Sequence, residues 1–191
     1  MDYQVNIETS WIIGFWSADR GSTAKGVVAV NNKNGELLKT FVSYSLKNFD
    51  ITSEKLRERV IHGYGETKEV YFTRLPARKF IESVLIDILR LSTPNKLAYL
   101  AGRFDGDGTV DHKRSILCYY YSKKEKDSLL TDMDIIEKMG FKTSWGTCGT
   151  KALRLRVLRP RFFANKIIQY VRHPEKRNKL RILIKKRHYG A

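Results

Sequence analysis

A chain of 191 residues in which 42% are aliphatic or aromatic can bury a core without disulfide or metal staples. Its 36 Lys and Arg against 20 Asp and Glu give a formal charge of +16, which favours a polyanionic partner, nucleic acid or an anionic membrane surface. No apolar run nears the roughly 18 residues of a membrane span and no secretion signal opens the chain, so an intracellular nucleic-acid-binding protein is expected, in the cytoplasm of a prokaryote or in an organelle, not secreted and with no membrane partner.

The first predicted element is a helix in SWIIGFWSADRGS, Ser10 to Ser22. Ser10, Gly14 and Ala18 recur every four residues and so form one stripe without bulk, flanked by Trp11, Ile12 and Phe15. Asp19 follows the stripe directly. KGVVAV and LLKTFVSYSL then read as two strands around the turn-rich NNKNGE, and FDITSEKLRERV as a short, less regular helix. EVYFTRLPARKFIESVL, Glu69 to Leu85, reads as a strand leading into an amphipathic helix. Ile81, Val84, Leu85, Ile88 and Leu89 take its inner side, and Lys79, Glu82 and Arg90 its outer side. At STPNK, Thr93 can cap a new helix and Pro94 can start it.

From that point the chain repeats itself. In LAYLAGRFDGDGTVD, Leu97 to Asp111, the small residues Ala98, Gly102 and Gly106 have the earlier spacing and Asp107 follows them. Leu97, Leu100 and Phe104 flank this second stripe. SILCYYYS reads as a strand, and Lys126 to Met139 as a helix with Leu129, Leu130, Met133 and Ile136 inward and Gly140 as its stop. ALRLRVLRPRFFANKII, Ala152 to Ile168, matches the earlier strand and helix, with Phe163 falling on Phe80. The expected fold is α+β, with two pseudosymmetric halves, 1–93 and 94–191. Each half runs helix, two strands, helix, two strands, helix. From Lys151 to His188 there are 14 Lys and Arg and one acid, Glu175, a bias that suits phosphate contact.

If the stripes pack in parallel, Asp19 and Asp107 meet at two adjoining helix C-termini, where like charge and helix dipoles both disfavour them. A hard divalent cation such as Mg²⁺ relieves this, with the carbonyls of Ala18 and Gly106 as further ligands. Nothing in the cysteine pattern competes: Cys118 and Cys148 form no CxxC pair and read as reduced packing residues. An EF-hand loop starting at Asp105 fails, because Val110 and Ile116 stand where its glycine and glutamate belong.

LAYLAGRFDGDGT resembles the LAGLIDADG motif of homing endonucleases, and WIIGFWSADRGS resembles a second copy of it. The resemblance covers nearly the whole chain and is to the single-chain, two-motif type. It implies two αββαββα halves joined through the motif helices, whose antiparallel sheets form a saddle over double-stranded DNA. It implies a monomer that makes Mg²⁺-dependent double-strand breaks with short 3′ overhangs, with Ca²⁺ or Mn²⁺ able to substitute in the site; with no evident splicing domain, an intron-encoded or free-standing gene is expected. Asp19 and Asp107 take the places of the metal-binding aspartates. Two positions depart from the pattern: Ser17 stands opposite Asp105, and Arg20 opposite Gly108. The family also implies a Lys or Gln ending the second strand of each half, matched by Lys47 or Asn48 and by Ser122 or Lys123. A further basic residue before the final helix falls at Lys176 or Lys179; these groups would stabilise the reacting phosphate.

Alternation sends Arg154 and Arg156 toward the saddle, where arginine pairs with guanine. Their counterparts in the first half are Tyr71 and Thr73, a difference that predicts an asymmetric target. In SILCYYYS either Leu117, Tyr119 and Tyr121 or Cys118, Tyr120 and Ser122 face DNA; the second set is favoured as less apolar. Lys25, Lys113 and Arg114 suit phosphate contacts. A rival reading keeps the fold but makes the partner intron RNA, bound by a maturase that cuts nothing.

Overall fold

In a computed structural model, which describes residues 3–21, 24–63 and 65–186, the chain runs α1 (Ile7–Asp19), β1 (Val27–Asn32), α2 (Gly35–Asn48), β2 (Arg57–Gly63), β3 (Gly65–Thr73), α3 (Leu75–Ile86), α4 (Thr93–Asp107), β4 (Gly108–Asp111), β5 (Ile116–Ser122), α5 (Lys126–Lys138), β6 (Thr143–Cys148), β7 (Ala152–Val157), α6 (Pro160–Ile167) and α7 (Pro174–Lys185).

The two striped segments are α1 and α4. Asn6 caps α1, its Oδ1 accepting from Thr9 N at 2.8 Å. Ser92, not Thr93, caps α4, with Thr93 and Pro94 inside the first turn. Every residue from Thr9 to Ser17 is buried, because this helix lies between both sheets and has no wet face. Backbone meets backbone along the stripes. A Cβ added to Gly14 would lie 2.0 Å from Tyr99 O, and one added to Gly102 would lie 2.1 Å from Trp11 O. Those distances leave room for hydrogen only, and they align the helices in parallel with both C-termini at one end.

Two antiparallel sheets flank the pair, one of three strands ordered β1-β3-β2 and one of four ordered β4-β5-β7-β6. The second half follows its expected order up to α6, and α7 is added beyond it. On α5, however, Leu130 is 37% exposed and Asp132 faces inward with Leu129, Ile135 and Ile136. Leu89, placed inward on the sequence, is also 37% exposed.

The first half departs further. LLKTFVSYSL is not a strand but most of α2. Leu37, Leu38, Phe41, Tyr44 and Ser45 are its buried residues, a helical spacing that overrides the local alternation. Asn34 Oδ1 starts it by accepting from Glu36 N and Leu37 N. FDITSEKLRERV forms no α-helix, only a single 3₁₀ turn at Ser53–Lys55 followed by β2. KGVVAV forms β1 as expected, and ahead of it the chain adds, among the described residues, one bridge between Arg20 and Val30. The bridge matches the pairing of Gly108 with Tyr119 in the other sheet, so β1 is the counterpart of β5 and α2 of α5.

Candidate active site

Asp19 ends α1 and Asp107 ends α4, and the parallel packing brings them together. A Cβ on Gly106 would lie 2.6 Å from Asp19 Oδ2 and 2.4 Å from Ala18 Cβ, so only glycine lets the two helix ends close. Burial, followed by the charge of Asp107, raises the Asp19 carboxyl to about 7; the Asn32 amide, Lys176 and Arg103 oppose the rise. Burial raises Asp107 to about 6, against Arg103 and Lys176 and with Glu125 adding to it. Asn32 Nδ2 donates to Asp19 Oδ2 at 2.9 Å. Two part-buried carboxylates held above their ordinary range at helix C-termini, despite Lys176 and Arg103 nearby, would gain from a shared cation.

That donor set fits a hard divalent ion. Among the described residues there is no cluster of three or more His, Cys, Asp or Glu, so the protein would supply two carboxylates and the carbonyl of Ala18, with water and phosphate completing the shell. Gly106 is the weaker of the two proposed carbonyls, because its oxygen already accepts from Lys176 Nζ at 2.7 Å.

Lys176, on α7, reaches the site in a way its sequence position did not reveal. Its Nζ also donates to Phe104 O at 2.9 Å and to Asp105 O at 2.8 Å. An ammonium thus caps the last turn of α4, where the helix dipole is negative. Asp105 faces away from the pair. Its carboxylate accepts from Trp11 Nε1 at 2.8 Å, Arg172 N at 2.8 Å and His173 N at 3.1 Å, and burial raises it to about 6. It ties the segment before α7 onto the motif helices. Ser17, its counterpart, accepts from Arg103 Nη1 at 3.3 Å. Arg103 is fully buried and paired with Asp132 at 3.1 Å, which itself accepts from Tyr121 OH at 2.7 Å.

Lys47 and Asn48 do not reach the carboxylates. They stand at the far end of α2, some 20 Å from its start at 1.5 Å per residue, and the Asn48 amide donates to Tyr44 O. Their expected place, the end of the second strand, belongs to Asn32 once β1 is recognised as that strand. Ser122 does end β5, where it forms a capping box with Glu125. Lys123 follows, exposed. Lys179 pairs with Glu175 one turn along α7. Arg20 crosses to the other half, 3.8 Å from Glu125.

Register fixes which side chains share a face. Arg154 is opposite Tyr120 and Gly146, and Arg156 opposite Cys118 and Ser144. Leu153, Leu155 and Val157 are buried on the other side. Of the two sets in SILCYYYS, Cys118, Tyr120 and Ser122 therefore share the arginine face, and Leu117, Tyr119 and Tyr121 the core. In the first sheet Tyr71 and Thr73 lie with Val27, Ala29, Asn31, Arg57, Arg59 and Glu69, while Val28, Val30, Val70 and Phe72 are buried opposite. The helix-like pattern of FDITSEKLRERV conceals Arg57 and Arg59, which β2 turns to this face. Lys25, Lys113 and Arg114 are exposed in turns beside these faces, Arg114 3.7 Å from Asp111.

No family model matches the sequence, and neither does any curated protein. The chain superposes on I-DmoI in complex with DNA and Ca with a TM-score of 0.71 at 16% identity, covering 93% of this chain and 98% of that one. For the homing endonuclease I-WcaI bound to its DNA recognition sequence the TM-score is 0.65 at 15% identity, over 94% and 88%. Full-length DUF199/WhiA from Thermatoga maritima gives 0.66 at 10% identity, over 100% of this chain and 64% of that one. The α+β fold is that of the single-chain LAGLIDADG homing endonucleases. WhiA carries it too, so function has to be argued from the site.

Proposed function

We propose that this chain is a site-specific DNA endonuclease that hydrolyses one phosphodiester in each strand of a long asymmetric duplex target. The observation that carries the proposal is the meeting of Asp19 and Asp107 at paired helix ends between two sheets whose outer faces bear Arg57, Arg59, Arg154 and Arg156. Residues 1–93 and 94–191 would each read one half-site, and their unlike side chains match a target without two-fold symmetry. Asp19, Asp107 and the Ala18 carbonyl would hold Mg²⁺, which when bound lowers the pKa of water and neutralises charge on the phosphate. Solved I-DmoI complexes contain DNA with Ca, Mn or Mg.

The remaining roles belong to the chain itself. Asn32 orients the Asp19 carboxylate, and Lys176 holds the α4 terminus that aims Asp107 and adds positive charge beside the reacting phosphate. Lys123 lies next to Ser122 at the end of β5, where an exposed ammonium can meet the DNA backbone. Lys25, Lys113 and Arg114 bind phosphates; Tyr71, Thr73, Tyr120, Arg154 and Arg156 face bases. A monomer encoded in an intron, leaving short 3′ overhangs, completes the reading.

A randomised duplex library incubated with the protein and Mg²⁺, with the cut ends sequenced, should return one long site cut in both strands. Asp107→Asn should abolish cutting while retaining binding in Ca²⁺; undiminished cutting by that variant would refute the assignment. A maturase would instead stimulate intron splicing with both aspartates replaced.

A further inference from the structure

We infer that Arg59, held by Glu69 and Tyr71, is a preset reader of one guanine in the first half-site. The inference rests on the outer sheet faces being the DNA-binding surface, as proposed above, and identifies one element of their specificity.

Arg59 on β2 and Glu69 on β3 are direct register partners, so both project from the outer face. Arg59 Nε donates to Glu69 Oε2 at 2.5 Å, and its guanidinium carbon lies 5.4 Å from the centre of the Tyr71 ring. The exposures are opposed: the Glu69 side chain is 2% exposed and that of Arg59 55%. An acid has been sunk into a surface that should meet phosphates, with an arginine laid over it. Glu69 is seated closely, for a Cβ on Gly21 would come within 2.0 Å of its Oε1.

A guanidinium has five N–H donors in a rigid fork. With Nε engaged by the carboxylate, the Nη1 and Nη2 edge points onward, and it makes no hydrogen bond among the described residues. That edge matches O6 and N7 of guanine in the major groove. Stacking on Tyr71 and the bond to Glu69 remove rotamer freedom before DNA arrives, so little is lost on contact. A pair between an exposed base and a buried acid contributes little to stability by itself. Asn31, the register partner of Glu69 on its other side, has a buried Oδ1 with no hydrogen-bond partner among the described residues.

The test compares target sites selected from a randomised duplex library, in Ca²⁺, by the wild-type protein, Arg59→Lys and Glu69→Gln. The wild type should prefer guanine at one first-half position by about tenfold or more. Arg59→Lys should lose that preference, and Glu69→Gln should relax it severalfold, with all other positions unchanged. Arg59 is exposed, so its variant reports even if Glu69→Gln folds poorly. A wild-type site that neither variant alters, or that both weaken uniformly at every position, overturns the inference and leaves the endonuclease reading intact. A wild type that selects no site overturns both.

Discussion

Asp105 accepts three hydrogen bonds, from Trp11 Nε1 and the backbone of Arg172 and His173, whereas Asp107, two residues on, accepts none among the described residues. Their consequences on removal should differ accordingly. Asp105→Ala leaves buried donors unpaired and should destabilise the fold by roughly 3 kcal/mol or more, seen as an earlier urea midpoint and faster amide exchange around α7. Asp107→Asn should cost little stability while ending catalysis. Asp19 offers a pH test. Its folded-state value of about 7 against the ordinary 3.8 means that the folded chain binds this proton more tightly than the unfolded one. The resulting stability is present below 3.8 and lost as pH rises through 7. In chelator, the wild type should therefore lose stability between pH 5 and pH 8, and Asp19→Asn should lose distinctly less; parallel melting curves for the two would contradict this.

At the scale of elements, the motif helices depend on missing atoms. Gly102→Ala puts a methyl 2.1 Å from Trp11 O and 2.7 Å from Phe15 N, backbone atoms that cannot swing aside. It should cost about 3 kcal/mol or more, read as a fall in melting temperature with loss of cutting, because the helix ends that carry Asp19 and Asp107 separate. This pairing was legible in the sequence: two stripes of small residues, each ended by an acid, admit few other arrangements. The first-half strands were not. LLKTFVSYSL alternates over part of its length and its second, helical pattern shows only when Leu37, Phe41 and Tyr44 are counted together. That alternation moves the family's strand-end residue onto Lys47 and hides Asn32, while the helix-like FDITSEKLRERV hides Arg57 and Arg59. Lys176 was found by position, but its bonds to three carbonyls of α4 depend on how α7 folds back, which no local pattern encodes.

Across the whole molecule, on the proposed function, the excess of 16 positive charges would set affinity for DNA and the sheet faces would set choice. Binding should weaken steeply with salt. Lys113→Ala should reduce the slope of log K against log salt by about 0.9, the value of one phosphate contact, with site preference unchanged. Arg154→Ala should instead relax base preference at one second-half position. Equal effects of the two on sequence preference would contradict the division between turn and sheet contacts.

The order in which the chain is made adds one consequence. Arg172, whose amide ties down Asp105, follows it by 67 positions, and Lys176, which closes the end of α4, comes later still. A ribosome releasing this chain exposes both acids long before the groups that hold the second one in place. On the proposed function, nascent or prematurely terminated products would own the full set of carboxylates and still be harmless to DNA, since the centre would be finished only when α7 docks.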